Sequence, residues 1–179
     1  PLTNDATPII EGTAEAGSTV ELFNGSDSLG TVVAADDGSF SITPTLGDSD
    51  YVLTVTATDE AGNTSAPSIG LPITIDTTAP DAPVITTTTP LTNDATPIIE
   101  GTAEAGSTVE LFNGSDSLGT VVAADDGSFS ITPSELDDAN YTLTVTATDE
   151  AGNTSAPSVG LPITLSLIHI SEPTRQVLI

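Results

Sequence analysis

The chain has 179 residues, with 26 Asp and Glu against a single Lys or Arg, a formal charge of −25 and no Cys. Such acidity excludes nucleic acid and anionic membrane surfaces as electrostatic partners, and the missing Cys and Lys exclude disulfide staples, thiol chemistry and lysine isopeptide cross-links. Regular Val, Ile and Leu alternation marks a chain that folds, unlike an acidic disordered tail, and no apolar run approaches the length of a membrane span.

Residues Pro1 to Pro44 recur letter for letter as Pro90 to Pro133, an offset of 89, which becomes 90 from Tyr51/Tyr141 onward. A unit of roughly 90 residues is too long for a solenoid repeat and suits a small independent domain. The added residue falls where TLGDSD becomes SELDDAN, so that stretch is a loop, because an insertion within a strand would flip its faces.

In chain order, the first copy offers Ile9 to Ala14 as a strand, a turn at Glu15-Ala16-Gly17, and Thr19 to Phe23 with Val20 and Leu22 on one face. Asn24-Gly25 predicts a tight hairpin turn with positive φ, leading to Leu29 to Val33. Asp36-Asp37-Gly38 turns the chain into Ser39 to Thr43, with Phe40 and Ile42 alternating. Tyr51 to Thr58 has the cleanest period of two: Tyr51, Leu53, Val55 and Ala57 point inward, Val52, Thr54, Thr56 and Thr58 outward. Asp59 to Asn63 turns again, and Ser68 to Ile75 is the last strand, expected at a sheet edge because Pro67 and Pro72 lie in or beside it. Phe23, Phe40 and Tyr51 are the expected aromatic core.

With Val84 to Thr86 as an entering segment, each copy counts seven strands and no helical period. The expected fold is all-β: two tandem immunoglobulin-like β-sandwich domains joined by a short Pro-containing linker, with Tyr51 and Tyr141 placed as tyrosine corners. The expected boundaries are a first domain at 1–76 lacking its first strand, a linker at 77–82, a second domain at 83–164, and a tail at 165–179. The tail breaks the repeat pattern, and its LSLIHISEPTR resembles a translated sequencing-library adapter, so it is set aside as non-native. The chain reads as a fragment of a longer protein.

PIIEGTAEAGSTVELF, ADDGSFSITP, YTLTVTATDEAGNTS and ITIDTTAPDAPVI resemble the bacterial Ig-like repeats of giant surface adhesins and biofilm-associated proteins. The resemblance covers everything before the tail. It implies an extracellular stalk on the bacterial cell surface that projects a terminal binding domain, rigidified by calcium at domain junctions. It further implies neighbouring repeats as partners, with host or biofilm glycans or proteins met through other domains.

The residues offer a junctional calcium site of their own. Turns of an up-and-down sandwich alternate between poles, so those near Glu104, Asp125 and Asp126, and Asp149 to Asn153 are expected at the pole where the second copy is entered. Calcium takes six to eight oxygen ligands, and the linker carries Asp76 and Asp81 between prolines that ask for no acids. The expected ligands are Asp76, Asp81, Glu104, Asp149 and Asn153, with Asn4, Asp5 and Asp59 as secondary candidates. Asp27, Asp36 and Asp37 read as turn formers with solvated charge. Asn63 and Asn153 read equally as left-handed turn caps, and the sequons at Asn24 and Asn63 as unmodified turns.

An enzyme is not expected. The only His (His169) and the only Arg (Arg175) lie in the tail, which leaves Ser and Thr no ordinary general base, and near-identical beads argue against one carboxylate-lined cleft. The expected role is a structural spacer; the alternative is a ligand-binding module, for glycan or protein, acting by avidity.

Overall fold

The computed structural model describes residues 1–167, and the chain divides into two compact units, the first Pro1–Thr78 with Glu150–Asn153 and the second Ala79–Asp149 with the described residues from Thr154 on. Every named element among the described residues is a β-strand.

The first unit runs β1 (Leu2–Thr3), β2 (Ile10–Thr13), β3 (Thr19–Asn24), β4 (Asp27–Val33), β5 (Ser39–Ile42), β6 (Ser49–Thr58) and β7 (Leu71–Ile75). One sheet has the order β1-β7-β6-β3-β4; the other is the ribbon β2-β5. Between them Val20, Leu22, Leu53 and Ile75 are almost fully buried, joined by Ile10, Phe40, Ile42 and Ile73. The alternation predicted for β6 shows at exposed Val52 and buried Leu53, whereas Thr54 to Thr58 are all half-buried, Val55 and Ala57 included.

The second unit runs β8 (Val84–Ile85), β9 (Leu91–Thr92), β10 (Ile99–Thr102), β11 (Thr108–Asn113), β12 (Asp116–Val122), β13 (Ser128–Ile131), β14 (Asn140–Thr148) and β15 (Leu161–Leu165). Its sheets are β12-β11-β14-β15-β9 and β13-β10-β8. Among the described residues the first unit has no strand in the place of β8. Leu165, the first residue assigned to the tail, ends β15 opposite Thr92 and is buried as Ile75 is. Residues 168–179 of that tail, with His169 and Arg175, lie outside the described residues.

Several local expectations are revised. The hairpin turns on Gly25-Ser26, because Asn24 pairs with Asp27 and only Gly25 (φ 61°) has positive φ; glycine at the first central position suits this two-residue loop. The last strand starts at Leu71, not Ser68, and β7 is not a simple edge, since β1 pairs with it in parallel at Thr74 and Ile75. Pro72, opposite Val52, precedes that pairing, so its missing N–H deprives no neighbour. Phe23 lies outside the core: it follows inward-facing Leu22, and alternation turns it away. Leu46 takes the vacated role, buried inside the variable loop with its N–H on Ala6 O (2.8 Å), and Leu136 repeats this against Ala95 O. The inserted residue therefore lies between Pro133 and Leu136.

Both tyrosine corners form, Tyr51 donating to Gly47 O (3.0 Å) and Tyr141 to Asp137 O (2.9 Å).

Candidate functional site

The end of the first unit is fastened by a residue outside the predicted set. Antiparallel pairing of β6 and β7 sets Ser49 opposite Ile75, so the residue before β6 stands beside those after β7. That residue is Asp48. Its Oδ1 accepts from Thr77 N (2.9 Å) and Thr77 Oγ1 (2.7 Å), and its Oδ2 from Thr78 Oγ1 (2.7 Å). Donors that favour the charged form hold the Asp48 carboxyl below its ordinary value, the Thr77 hydroxyl first among them. Thr77 and Thr78, expected in the linker, are thus bonded to the first unit. Asp138 takes the same part in the second, accepting from Leu167 N at 2.6 Å. The sequence carries a signal for this pair, since Asp48 and Asp138, like Leu46 and Leu136, match at the offset of 90 inside loops whose other residues differ.

The predicted calcium ligands are distributed as follows. Half-buried Asp76 accepts from Thr78 N through Oδ1 (3.1 Å). Asp81 and Glu104 border one shallow depression of the second unit, with Val84 and Thr102. Glu104 also fixes its turn, its main-chain oxygen accepting from Ser107 Oγ (2.7 Å). Asp149 and Asn153 flank the turn after β14; both are half-buried and both have bonding partners.

The matching turn of the first unit shows the local chemistry. Asp59 Oδ1 accepts from Asn63 N and Oδ2 from Asn63 Nδ2, each at 2.8 Å, and this pair of bonds lowers the Asp59 pKa. The left-handed residue is Gly62 (φ 89°), as Gly152 (φ 97°) is in the second turn; among the described residues no non-glycine residue has positive φ. Asn63 and Asn153 therefore do not cap their turns in a left-handed conformation, because the glycine before each absorbs the reversal. Asp5 closes a local turn through Thr7 N (2.8 Å), beside exposed Asn4. Asp37 is a turn former as expected and Asp126 repeats it in the second unit, each accepting from the main chain and hydroxyl of a serine two residues on, which lowers their pKa values. Among the described residues no group of three or more His, Cys, Asp or Glu gathers as a metal cluster.

Residues 1–77 and 84–165 match the family described as bacterial Ig-like domain. Exoglucanase B of Cellulomonas fimi is 32% identical over 156 residues, covering 80% of this chain; the chain spans only 14% of that protein. Among solved structures, fibronectin(III)-like modules of Clostridium thermocellum CbhA align over 97% of this chain and 96% of theirs, at 18% identity and a TM-score of 0.58, a likeness of fold. A biofilm associated protein, BSP domain, aligns over 93% of this chain and 29% of its own, at 26% identity and a TM-score of 0.40.

Proposed function

Since this chain belongs to the bacterial Ig-like domain family, which takes in both repeats, we propose that it is a non-catalytic spacer of a longer bacterial surface or secreted protein. The observation that carries this reading is the repetition of structure as well as sequence. The β3–β4 and β11–β12 hairpins share one register with the same irregularity, both tyrosine corners close, and Asp48 and Asp138 both anchor main chain. Recognition of a ligand usually calls for one specialised surface, whereas a spacer asks only that each bead fold. The match to 14% of an exoglucanase supports a module carried beside other domains. Adhesion or biofilm formation is the setting proposed, with ligands met by other parts of the parent protein.

The second element of the proposal is calcium. The proposed ligands are the carboxylates of Asp76, Asp81, Glu104 and Asp149 and the amide oxygen of Asn153. The support is chemical. Asp81 and Glu104 already border one depression, Asp76 commits only Oδ1 in its turn, and hard oxygen donors without His or Cys suit calcium rather than zinc. A bound cation would also offset part of the net charge.

Small-angle scattering and thermal melting of the chain, with calcium and with chelator, test the clamp. Calcium should restrict the range of particle dimensions and raise the melting temperature; indifference of both removes calcium and leaves the spacer. Saturable binding of a glycan or protein ligand to these repeats would replace the spacer with the avidity reading.

A further inference from the structure

An Asn or Asp followed by Gly can close a five-membered imide on its own main chain, because the attacking amide nitrogen belongs to a residue with no side chain to shield it. Each unit carries such a pair at two turns: Asn24-Gly25 and Asp37-Gly38 in the first, Asn113-Gly114 and Asp126-Gly127 in the second. The fold treats the two kinds of pair in opposite ways.

At Asp37-Gly38 both reacting groups are committed. Gly38 N donates to Ala35 O (2.8 Å), while Asp37 Oδ1 accepts from Ser39 N (2.9 Å) and Ser39 Oγ (2.7 Å). The far side of the turn is tied as well, Ala14 N donating to Gly38 O at 2.9 Å. In the second unit Gly127 N donates to Ala124 O (2.8 Å), and Asp126 Oδ1 accepts from Ser128 N (3.0 Å) and Ser128 Oγ (2.7 Å). Donors of this kind favour the charged carboxylate, which is the poorer electrophile.

At Asn24-Gly25 the groups are loosely held. Gly25 is exposed, its N–H has no acceptor among the described residues, and the space beside its Cα is open. Asn24 Oδ1 meets Val52 N at 3.4 Å, a long bond. Asn24 pairs with Asp27 to close a two-residue loop, so swinging the peptide plane between Asn24 and Gly25 toward the side chain opens only the last pair of the hairpin, where fraying costs least. Asn113, paired with Asp116, and exposed Gly114 repeat this tip.

We infer that Asn24 and Asn113 are sites of spontaneous deamidation, at which each β-hairpin tip converts its own asparagine while the Asp-Gly turns of the same units stay intact. This is a change of the side chain itself, unrelated to glycosylation of the sequon. Hydroxide removes the proton of Gly25 N, and the nitrogen attacks Asn24 Cγ. The N–Cγ bond forms, the Cγ–Nδ2 bond breaks, and Nδ2 takes a proton from water and leaves as ammonia. Water then opens the imide at either carbonyl, giving Asp or an isoaspartate whose main chain runs through Cβ and Cγ. Either product sets a new carboxylate beside Asp27 in a molecule already strongly anionic. Isoaspartate also lengthens β3 by one main-chain carbon, so Asn24 cannot keep both Asp27 and Leu53 as register partners. The inference concerns the hairpin tips alone and stands apart from the spacer and calcium readings.

The test holds the folded chain at mildly alkaline pH and follows its intact mass. Sites are read by fragmenting the whole chain, since the sequences around Asn24 and Asn113 are identical. A gain of about one dalton per event is expected, saturating at about two events per chain and faster as pH rises. The folded chain should lag a capped peptide of residues 21–28 by no more than roughly a hundredfold, the cost of opening one terminal pair. Isoaspartate should appear at Asn24 and Asn113 at least roughly tenfold faster than at Asp37 and Asp126. Gly25→Ala, whose Cβ crowds the attacking nitrogen, should leave one event per chain, at Asn113. Asn24→Gln, which keeps the glycine turn, should do the same. A folded chain that gains no mass while the peptide reacts, a lag beyond that range, isoaspartate forming equally fast at Asp37, or an event count unmoved by either variant overturns the inference.

Discussion

Asp48 grips Thr77 twice through one oxygen, Oδ1 accepting both the main-chain N–H at 2.9 Å and the hydroxyl at 2.7 Å. The contact exists because Ser49 and Ile75 are register partners, which makes the residues just outside the β6–β7 ladder neighbours across 29 positions of sequence. Where the chain leaves the first unit is therefore decided by one carboxylate.

This carboxylate titrates below its ordinary value of 3.8. The depressed folded-state pKa means that its contribution to stability is complete above the unfolded value and is lost as pH falls through the folded one. An NMR titration should show the Thr77 amide moving with an apparent pKa below 3.8. In Asp48→Asn that titration should vanish, the Thr77 amide should exchange faster, and melting of the first unit should fall by a few degrees at neutral pH, with little difference from the native chain in strong acid.

Tyr51 and Tyr141 close four-residue corners, each hydroxyl reaching a main-chain oxygen upstream. The rings are half-buried beside the core, so Phe keeps the packing and removes one bond. Tyr51→Phe and Tyr141→Phe should each cost about 0.5–1.5 kcal/mol in urea denaturation, and the double variant should lose close to the sum, since the bonds share no partner.

How much of this was legible before the fold follows from range. Period-two alternation and turn residues act locally, so the strands around Leu22, Phe40 and Leu53 and the corner tyrosines could be placed from the sequence. Strands of two residues have no period to read, and β1 is visible only through its parallel pairing with β7. Ser65 and Ser68 escaped notice for a related reason. Their hydroxyls accept from Ala57 N and Val55 N, continuing the edge of β6 past the end of β7, and a serine's hydropathy carries no trace of that task. The acids were legible as turn formers where the partner lay two residues away, as with Asp37 and Ser39, and illegible where it lay across the sheet, as with Asp48.

The same serine bond should weigh differently in the two units. Val145 N donates to Ser158 Oγ (3.0 Å) in a buried setting, whereas the bond of Val55 N to Ser68 Oγ (3.1 Å) is exposed. Ser158→Ala strands a buried N–H and should cost about 1–3 kcal/mol. Ser68→Ala lets water take the vacated position and should cost well under about 1 kcal/mol. Equal losses in denaturation would mean that the edge beside β2 is closed to water in both units.

Gly38 and Gly25 separate two costs that a glycine can conceal. Both have positive φ, 82° and 61°. A Cβ on Gly25 would meet nothing within 4 Å, whereas one on Gly38 would stand 2.8 Å from Ala14 O. Gly25→Ala should therefore cost only the left-handed backbone term, about 1–2 kcal/mol. Gly38→Ala adds the clash with a main-chain oxygen whose own residue is tied back to it, Ala14 N donating to Gly38 O at 2.9 Å. Relieving the clash means breaking that bond, so the loss should exceed that of Gly25→Ala by at least about 1 kcal/mol. Gly127, with φ 80° and Ala103 O at the same 2.8 Å, should repeat the larger loss in the second unit, and chemical denaturation of the three variants orders them directly.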